Sequence, residues 1–369
     1  MKFRVEKSEF LKQLSNVSNI VPAKPVVTII SNLMIEAEKN KLSFSSTDFE
    51  ITMHTEMQAN VQEDGVIIVN AKTLVDLVKR LPDGEIDITS HENEITLKTS
   101  SGVYKLPFIK KEDYVDIQNI DKTKLFNIES MPIINAIENT VFAVSKDTVK
   151  YATTGVLVEA NGKSLTFVAT DGYRLSLYSI KDILEENSNV SIIVPPKALN
   201  ILRGLIDDAE NFQMGFDEKR IMFKINETEI SAKLIEGNYP DYKRVIPSDN
   251  NRTITVQKDL FVDALNRVSI FTNPNTRLVK MEIGDKKLTI NAYQSQTGEG
   301  TEYLDIDTSD KEKLVIGFNH SFLSEMIKKV ETSNVKFKMK GEMNTVIIEN
   351  EESKVGEEVL FIIMPLRLK

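Results

Sequence analysis

Residues 7–18 read KSEFLKQLSNVS, and apolar side chains at three- and four-residue steps in this stretch predict an amphipathic helix. The pattern begins at Phe10 and returns at Ile133 and Phe261, 123 and then 128 residues further along the chain. A second helix pattern gives an independent register, because its leucines are 125 and then 124 residues apart, at Leu74, Leu199 and Leu323. The two markers agree on a repeated unit of about 120 residues, which is the size of an ordinary domain.

Each repeat reads as a strand, a helix, several strands, a second helix and further strands. Period-two alternation predicts strands, among others, at residues 42–45, 85–89, 190–194, 287–290 and 335–339. Apolar periodicity predicts helices at residues 7–18, 72–80, 130–144, 197–206, 258–268 and 321–330. The predicted fold class is therefore α+β, with three similar domains that each pack two helices on antiparallel sheets. Both patterns lapse at 119–123 and 247–251, so we predict domains at 1–120, 124–247 and 250–369.

The composition is that of an ordinary globular protein, with 369 residues, 41% hydrophobic and 27% charged. The absence of cysteine excludes disulfide scaffolds, zinc–cysteine sites, iron–sulfur clusters and thiol catalysis. The first residues, MKFRVE, form a charged alternating strand without an apolar signal core, and no apolar run approaches membrane-spanning length. We therefore expect a cytoplasmic location and no membrane partner.

The net charge of −9 argues at first against a nucleic-acid partner, but the six predicted helices carry the opposite sign. They contain eleven basic and six acidic residues, a net +5 that leaves −14 for the remainder of the chain. Such polarisation suits a protein in which one surface meets phosphates. Solvated helix faces would explain any one of these helices alone, and the bias of the middle repeat is small.

The sequence offers no catalytic or metal-binding constellation. Its three histidines, at His54, His91 and His320, lie in different repeats without metal-ligand spacing, and no GxSxG, GxGxxG, Walker A or HExxH motif occurs. Asp48 and Asp171 each follow a threonine and are 123 residues apart, so they occupy one repeat position in two domains. A turn capped by aspartate explains them better than a catalytic carboxylate pair does. We predict neither an enzyme nor a cofactor.

Two segments are not explained by packing alone. In residues 168–175, VATDGYRL, a strand meets a glycine turn that presents an aromatic, an arginine and a leucine. Residues 361–369, FIIMPLRLK, are strongly apolar and must dock somewhere. A last core strand would account for Phe361 to Ile363, but Pro365 stops ladder pairing.

These motifs carry a resemblance. Over essentially its full length the sequence resembles the bacterial DNA polymerase III beta subunits, the family of sliding clamps. The residues that carry it are MKF at 1–3, ATDGYRL at 169–175, GNYPDYKRVIP at 237–247, IGFN at 316–319 and MPLRL at 364–368. The resemblance implies a head-to-tail homodimer that closes six domains into a ring around duplex DNA. It implies tethering without catalysis, with no cofactor or metal, and with the polymerase III alpha subunit, the clamp loader and other clamp-binding-motif proteins as partners.

A clamp must hold DNA and still slide, so it should use nonspecific phosphate attraction rather than base contacts. By resemblance, Lys24 occupies a position at which the family touches DNA at the ring face. The other basic side chains that we expect to face DNA lie on the helices, at Lys12, Lys72, Lys79, Arg80, Lys197 and Arg203.

The resemblance also implies a pocket for an extended partner peptide with Leu and Phe anchors near a Gln, with Arg174 and Arg244 at its rim. Its positions here are Thr153, Thr170, Gly172, Tyr173, Arg174, Leu175, Pro240, Arg244, Val245, Val346, Ile362, Met364, Pro365, Leu366 and Arg367. Thr153 departs from the apolar residue usual in the family, which predicts a shallower or more polar floor. Lys369 extends beyond the usual last leucine, which would alter the lip of the pocket.

The implied dimer joint pairs an edge strand of the first domain with the third domain of the other copy. Tyr104 and Leu106 are expected to meet Ile270 and Phe271 there. Pro107 lacks an N–H, so the intersubunit ladder should be short. Acidic residues near Glu299 and Glu302 are expected to pair with basic residues opposite. A β-rich scaffold or binding protein without DNA stays open as an alternative, and a hydrolase with paired carboxylates is a remote one.

Overall fold

The computed structural model describes residues 1–22, 24, 27–114, 125–308, 310, 312–352 and 354–368. The predicted boundary at 119–123 and the terminal Lys369 lie outside these residues. The α-helices are α1 Lys7–Ser18, α2 Ala71–Arg80, α3 Ser130–Thr140, α4 Pro196–Ile206, α5 Lys258–Ser269 and α6 His320–Ile327. Within the described ranges, no helix has the length and apolarity needed to cross a membrane.

The strands are given in chain order, in three groups separated by α3 and α5. Those before α3 are β1 Lys2–Glu6, β2 Asn32–Glu38, β3 Lys41–Thr47, β4 Ile51–Gln58, β5 Asn60–Glu63, β6 Gly65–Asn70, β7 Glu85–His91, β8 Glu94–Lys98, β9 Val103–Ile109 and β10 Phe126–Glu129. Those between α3 and α5 are β11 Val156–Gly162, β12 Ser164–Thr170, β13 Arg174–Ile180, β14 Ser188–Val194, β15 Asn211–Phe216, β16 Arg220–Ile225, β17 Thr228–Lys233 and β18 Arg252–Gln257. Those after α5 are β19 Leu278–Gly284, β20 Lys287–Gln294, β21 Gly298–Asp305, β22 Asp307–Thr308, β23 Leu314–Asn319, β24 Asn334–Met339, β25 Val346–Asn350 and β26 Glu357–Ile363.

The predicted helices are confirmed at their starts, each within one residue, and the five strand segments quoted above all lie in observed strands. Two helix ends were predicted too far along. In α3 the Asn139 amide and the Thr140 hydroxyl donate to the carbonyls of Asn135 and Ala136, at 2.8 and 2.6 Å. Such side-chain bonds compete with the helical ladder, and α3 gives way to a 3₁₀ turn at Val141–Ala143. Helix α6 ends at Ile327, because the next N–H groups bond partly at three-residue spacing.

The described residues form two compact units, and the first contains residues 1–131 and 197–234. Its thirteen described strands form one sheet in the order β10-β15-β16-β17-β4-β3-β2-β6-β9-β8-β7-β1-β5. Helix α1 buries Phe10, Leu14 and Val17 completely, and the Phe10 ring lies 5.8 Å from that of Phe44 in β3. The amphipathic stripe read from the sequence is therefore the core face of this helix.

The second unit contains residues 132–196 and 235–369. Its described strands form a nine-stranded sheet, β14-β11-β12-β13-β26-β25-β24-β18-β22, and a four-stranded sheet, β21-β20-β19-β23. Helices α5 and α6 pack on a core centred on Phe261, Phe318 and Phe337, all fully buried. A smaller cluster of buried side chains, which includes Leu175, Tyr242 and Ile362, lies apart from it.

Strand pairing crosses the predicted domain ranges within each unit. In the first unit β17 pairs antiparallel with β4, with Ala232 opposite Ile51. In the second unit β13 pairs antiparallel with β26, with Arg174 opposite Ile363. Strands of the middle repeat therefore pair with the first repeat in one unit and with the third repeat in the other. The domain ranges 1–120, 124–247 and 250–369 stay a prediction.

Candidate functional site

The second unit carries a cavity of about 420 Å³ beside the turn that joins β12 to β13. Its walls come from this turn, from the 3₁₀ segment Thr148–Thr154, from the loop around residues 240–250, and from the end of β26. The sequence-predicted residues that it brings together are Thr153, Thr170, Gly172, Tyr173, Arg174, Leu175, Pro240, Arg244, Val245, Ile362 and Met364. Leu175 and Ile362 belong to the smaller buried cluster, so the floor of this cavity is a packed apolar surface.

A second cavity, of about 630 Å³, shares Gly172, Tyr173 and Met364 with the first. Three more predicted residues line it, namely Pro365, Leu366 and Arg367. We call the two adjoining cavities together the groove. Val346 lines neither cavity, because it is fully buried in β25 opposite Ile363, within the larger core.

The turn that separates the two cavities is held by Asp171. One carboxylate oxygen of Asp171 accepts the N–H groups of Tyr173 and Arg174, at 3.0 and 3.1 Å. Gly172 lies at φ +89°, a conformation that favours glycine. In the first unit Asp48 accepts the N–H groups of Glu50 and Ile51 in the same way. The structure thus confirms that the repeated aspartates cap turns.

Arg174 was predicted to frame the mouth of the pocket, and that prediction is wrong. The residue is only 7% exposed, and its guanidinium donates to Asp171, to Glu325 and to the Phe142 carbonyl, at 3.1, 2.5 and 2.9 Å. It also stacks over the Phe322 ring, with 4.4 Å to the ring centroid. Burial of a guanidinium requires such complete pairing, so Arg174 supports the wall rather than the rim. Arg244, by contrast, is exposed, and its guanidinium pairs with the Asp241 carboxylate at 2.7 Å.

The hydroxyl of Thr153 was expected to make the floor of the pocket more polar, but its hydrogen is donated elsewhere. Thr153 is 5% exposed, and the hydroxyl donates to the Lys150 carbonyl at 2.9 Å. The donor of this side chain is therefore used inside its own turn.

The sequence reasoning missed Asn319 and Phe322, which line the second cavity. The Phe322 ring stacks on Tyr173 at 6.4 Å and carries the Arg174 guanidinium. Asn319 is the last residue of the IGFN motif and caps α6, and Phe322 lies in the first turn of that helix. One indication of Phe322 was present in the sequence, since it is a bulky aromatic residue in the first turn of α6 that lies outside the buried face of that helix.

The basic residues predicted to face DNA all lie in the first unit. Lys12, Lys24, Lys72 and Lys79 are exposed, and none has an ion-pair partner among the described residues. The remaining three are engaged within the chain or partly buried. Arg80 donates to the Asp76 carbonyl, Lys197 donates to Asp48 at 2.5 Å and to the Ile20 carbonyl at 2.8 Å, and Arg203 is half-buried.

The predicted joint residues of the first unit lie on β9, which pairs with β8 through Val103 to Pro107. On its other side β9 pairs with β6 only at Phe108 and Ile109. In the described chain the outer edge of Val103–Leu106 is therefore without a strand partner, which is the kind of edge that accepts another strand. Tyr104 and Leu106 are half-buried there.

The predicted joint residues of the second unit follow α5. Ile270 is 69% exposed, whereas the Phe271 ring packs on Gly300 of β21, the edge strand of the four-stranded sheet. Glu302 accepts two hydrogen bonds from Arg267 of its own chain, at 2.7 and 2.9 Å, and this bonding lowers the pKa of Glu302. Glu302 is thus already paired, contrary to the expectation that it awaits a base across the joint.

Three consecutive family descriptions match the chain. They are the N-terminal, central and C-terminal domains of the DNA polymerase III beta subunit, at residues 1–118, 127–241 and 243–367. Proteins called beta sliding clamp are similar over 100% of both chains, at 28% identity in Escherichia coli K12 and 27% in Caulobacter vibrioides. The crystal structure of the DNA polymerase III subunit beta from Pseudomonas aeruginosa, 26% identical, superposes with a TM-score of 0.94 over 100% of both chains.

The fold is therefore that of a clamp protein, α+β with three similar domains of two helices and antiparallel sheets. The chain belongs to the DNA polymerase III beta subunit family.

The buried guanidinium leads to a prediction about stability. Arg174→Met leaves the Asp171 carboxylate without its cation, and we expect a loss of about 3 kcal/mol in the free energy of unfolding. Glu325→Gln should cost about 1 kcal/mol or less, because Glu325 is 46% exposed and solvent screens the pair. Arg244→Met, at an exposed ion pair, is the matched control and should cost nothing measurable. Urea denaturation gives the ranking, and an equal effect of Arg174→Met and Arg244→Met would contradict this reading of Arg174.

Proposed function

We infer that this chain functions as a DNA sliding clamp, which encircles duplex DNA and tethers the replicative polymerase and other DNA-processing proteins. The carrying observation is the match of all three clamp-domain families, in order, along residues 1–367. Two copies join head to tail as a homodimeric ring of six domains. The domains are 1–120, 124–247 and 250–369, and the matched family ranges of 1–118, 127–241 and 243–367 support them.

The chain acts on DNA without catalysis and without a cofactor, because encirclement confers processivity through topology rather than through a bond-breaking step. Its site of action is the cytoplasm, where bacterial chromosomal DNA is copied. A β-rich scaffold that does not bind DNA is the alternative, and it would need neither a ring nor the positive helices.

DNA contact is assigned to exposed basic side chains of the first unit. Lys12, Lys24, Lys72 and Lys79 have no ion-pair partner in the described chain, so their charge is available to phosphates. Arg80, Lys197 and Arg203 contribute less. The Arg80 guanidinium donates to the Asp76 carbonyl, the Lys197 ammonium is paired with Asp48, and the Arg203 side chain is half-buried. Contacts that stop at phosphates do not distinguish one base pair from another, so the ring can move along the duplex.

The joint forms between the free edge of β9 in one copy and the edge strand β21 in the other. Both edges lack a further strand among the described residues, and pairing between them would continue each sheet. Tyr104 and Leu106 then approach Ile270, which is 69% exposed in one chain and would be covered in the dimer. Phe271 acts mainly from below, by supporting β21 through Gly300.

The groove receives the peptide motif of the polymerase III alpha subunit, the clamp loader and other clamp-binding-motif proteins. An apolar floor that includes the buried Leu175 and Ile362 suits leucine and phenylalanine anchors. Tyr173 and Met364 border both cavities, so one extended peptide can contact both.

Encirclement predicts retention that depends on topology. After treatment with clamp loader and ATP, the protein should remain on a nicked circular duplex during gel filtration, and should leave once the circle is cut. Omission of ATP is the control. Equal retention on the circle and on the linear molecule would exclude encirclement and favour simple binding, and no retention on either would favour the scaffold alternative.

The joint is tested best at Ile270, because Phe271 also packs within its own unit. Ile270→Ala should weaken the dimer by about 2 kcal/mol, a roughly thirtyfold rise in the dimer dissociation constant. Analytical ultracentrifugation over a dilution series measures this constant. Leu260→Ala is the matched control, since Leu260 is an exposed apolar residue on α5 of the same unit. If both variants dimerise like the parent protein, Ile270 does not belong to the joint.

The groove is tested with a fluorescent peptide that carries a Gln-Leu-x-Leu-Phe motif. We expect a dissociation constant near the micromolar level, about −8 kcal/mol. Removal of residues 364–369, or the pair Met364→Ala and Leu366→Ala, should weaken binding at least tenfold, about 1.4 kcal/mol. Val355→Ala, at a fully exposed position that lines neither cavity, should change nothing. Unchanged affinity in a truncated but folded dimer would place the peptide elsewhere.

A further inference from the structure

The segment Met364–Leu368 is bound to the second unit on both sides of Pro365. The Met364 N–H donates to the Tyr173 carbonyl at 2.9 Å, and the Leu366 N–H donates to the Gly317 carbonyl at 2.8 Å. Leu366 and Gly317 also form an isolated antiparallel bridge. Since Tyr173 precedes β13 and Gly317 lies in β23, the segment joins the nine-stranded sheet to the four-stranded one. We call these two backbone hydrogen bonds, one on each side of Pro365, the bracket. The segment that they hold supplies a wall of the second cavity.

The same pair of backbone bonds occurs one repeat earlier. In the first unit the Lys233 N–H donates to the Glu50 carbonyl, and in the second unit the Ile235 N–H donates to the Ile193 carbonyl, both at 2.9 Å. Lys233 and Ile235 each precede Met364 and Leu366 by 131 residues. The bracket is therefore a property of the repeat and not of one sequence motif.

Beneath the bracket, the positions of the glycine and of the large side chain are swapped between the two repeats. A Cβ on Gly317 would lie 2.8 Å from Leu368 Cδ2, 2.9 Å from Leu278 Cδ1 and 2.9 Å from the Leu366 carbonyl oxygen.

One repeat earlier, the residue at the position of Gly317 is Ile193. The glycine there is Gly155, at the position of Leu278. A Cβ on Gly155 would lie 2.5 Å from Ile193 Cγ2 and 2.8 Å from Ile235 Cδ1. Each of these two repeats thus places one glycine and one large side chain beneath the segment, on opposite sides.

We propose that Gly317 is the positioning residue that seats Met364–Leu368 as a preformed wall of the groove, with Leu278 as its packing partner. The backbone of Leu366 lies directly against Gly317, and backbone cannot rotate away as a side chain can. With Leu278 in place on the neighbouring strand, a Cβ at position 317 therefore displaces the segment and breaks the Leu366 hydrogen bond. The proposal rests on the peptide groove proposed above, because a wall that is already ordered lowers the entropy lost when a peptide binds.

The test uses Gly317→Ala in the full-length chain, with Gly284→Ala as the matched control. Gly284 ends β19 of the same sheet, and its Cβ would meet only ordinary contacts, the nearest at 3.5 Å. Hydrogen–deuterium exchange by mass spectrometry should show faster exchange in residues 364–368 for Gly317→Ala, with the other segments of the second unit unchanged. The affinity of the Gln-Leu-x-Leu-Phe peptide should fall at least tenfold. Gly284→Ala should match the parent protein in both measurements.

A second pair of variants guards against a general packing defect. Gly317→Ile alone should release the segment, whereas Gly317→Ile combined with Leu278→Gly reproduces the arrangement of Ile193 and Gly155 and should restore its protection. A combined variant as unprotected as Gly317→Ile would overturn the exchange of large and small residues. Parent-like protection and affinity in Gly317→Ala would overturn the proposal itself. If the parent protein fails to bind the peptide, the groove function fails, while the exchange data still decide how the segment is seated.

Discussion

Antiparallel pairing between strands of different repeats is the constraint on which the remaining structure depends. In the first unit β4 pairs with β17, and in the second β13 pairs with β26. Each pairing starts beside a Thr-Asp turn, whose carboxylate fixes two backbone N–H groups and thereby the register of the strand that follows. The groove lies at the end of the second pairing. Its shape is therefore set by the ladder and by the turn, before any partner is present.

The two Thr-Asp turns share one backbone arrangement, although only the second of them borders the groove. The free oxygen of Asp48 accepts from Lys197, and that of Asp171 accepts from Arg174. Both aspartates are thus satisfied by a cation, although the cations come from different elements. The exposed position after the aspartate is Phe49 at φ +74° in the first turn and Gly172 in the second. Glycine adopts this conformation without strain, and its lack of a side chain leaves room for the two cavities to adjoin.

Local patterns predicted the elements, while tertiary partners decided the roles of single side chains. The starts of α1 and α5 follow from apolar periodicity, which can be read from the sequence without knowledge of the tertiary structure. The burial of Arg174 depends on Glu325, a residue 151 positions away, and no local pattern reports such a contact. Phe322 was missed for the same reason, because its place in the groove depends on Tyr173 and on the segment after β26. The turn aspartates were predicted correctly because their hydrogen bonds reach only two or three residues along the chain.

The basic residues of this chain fall into two kinds, exposed lysines without an ion pair among the described residues and a buried arginine that is fully paired. Exposed lysines on α1 and α2 keep their charge free of ion pairs within the described chain, which suits weak and movable contacts with phosphates. Arg174 is used in the opposite way, since its charge is fully paired and its plane is stacked between rings. A mobile cation gives attraction without a fixed geometry, whereas a fixed cation gives geometry without attraction. The proposed contact with DNA needs the first property and the proposed peptide groove needs the second, so the two proposals place opposite demands on the basic residues of a single chain.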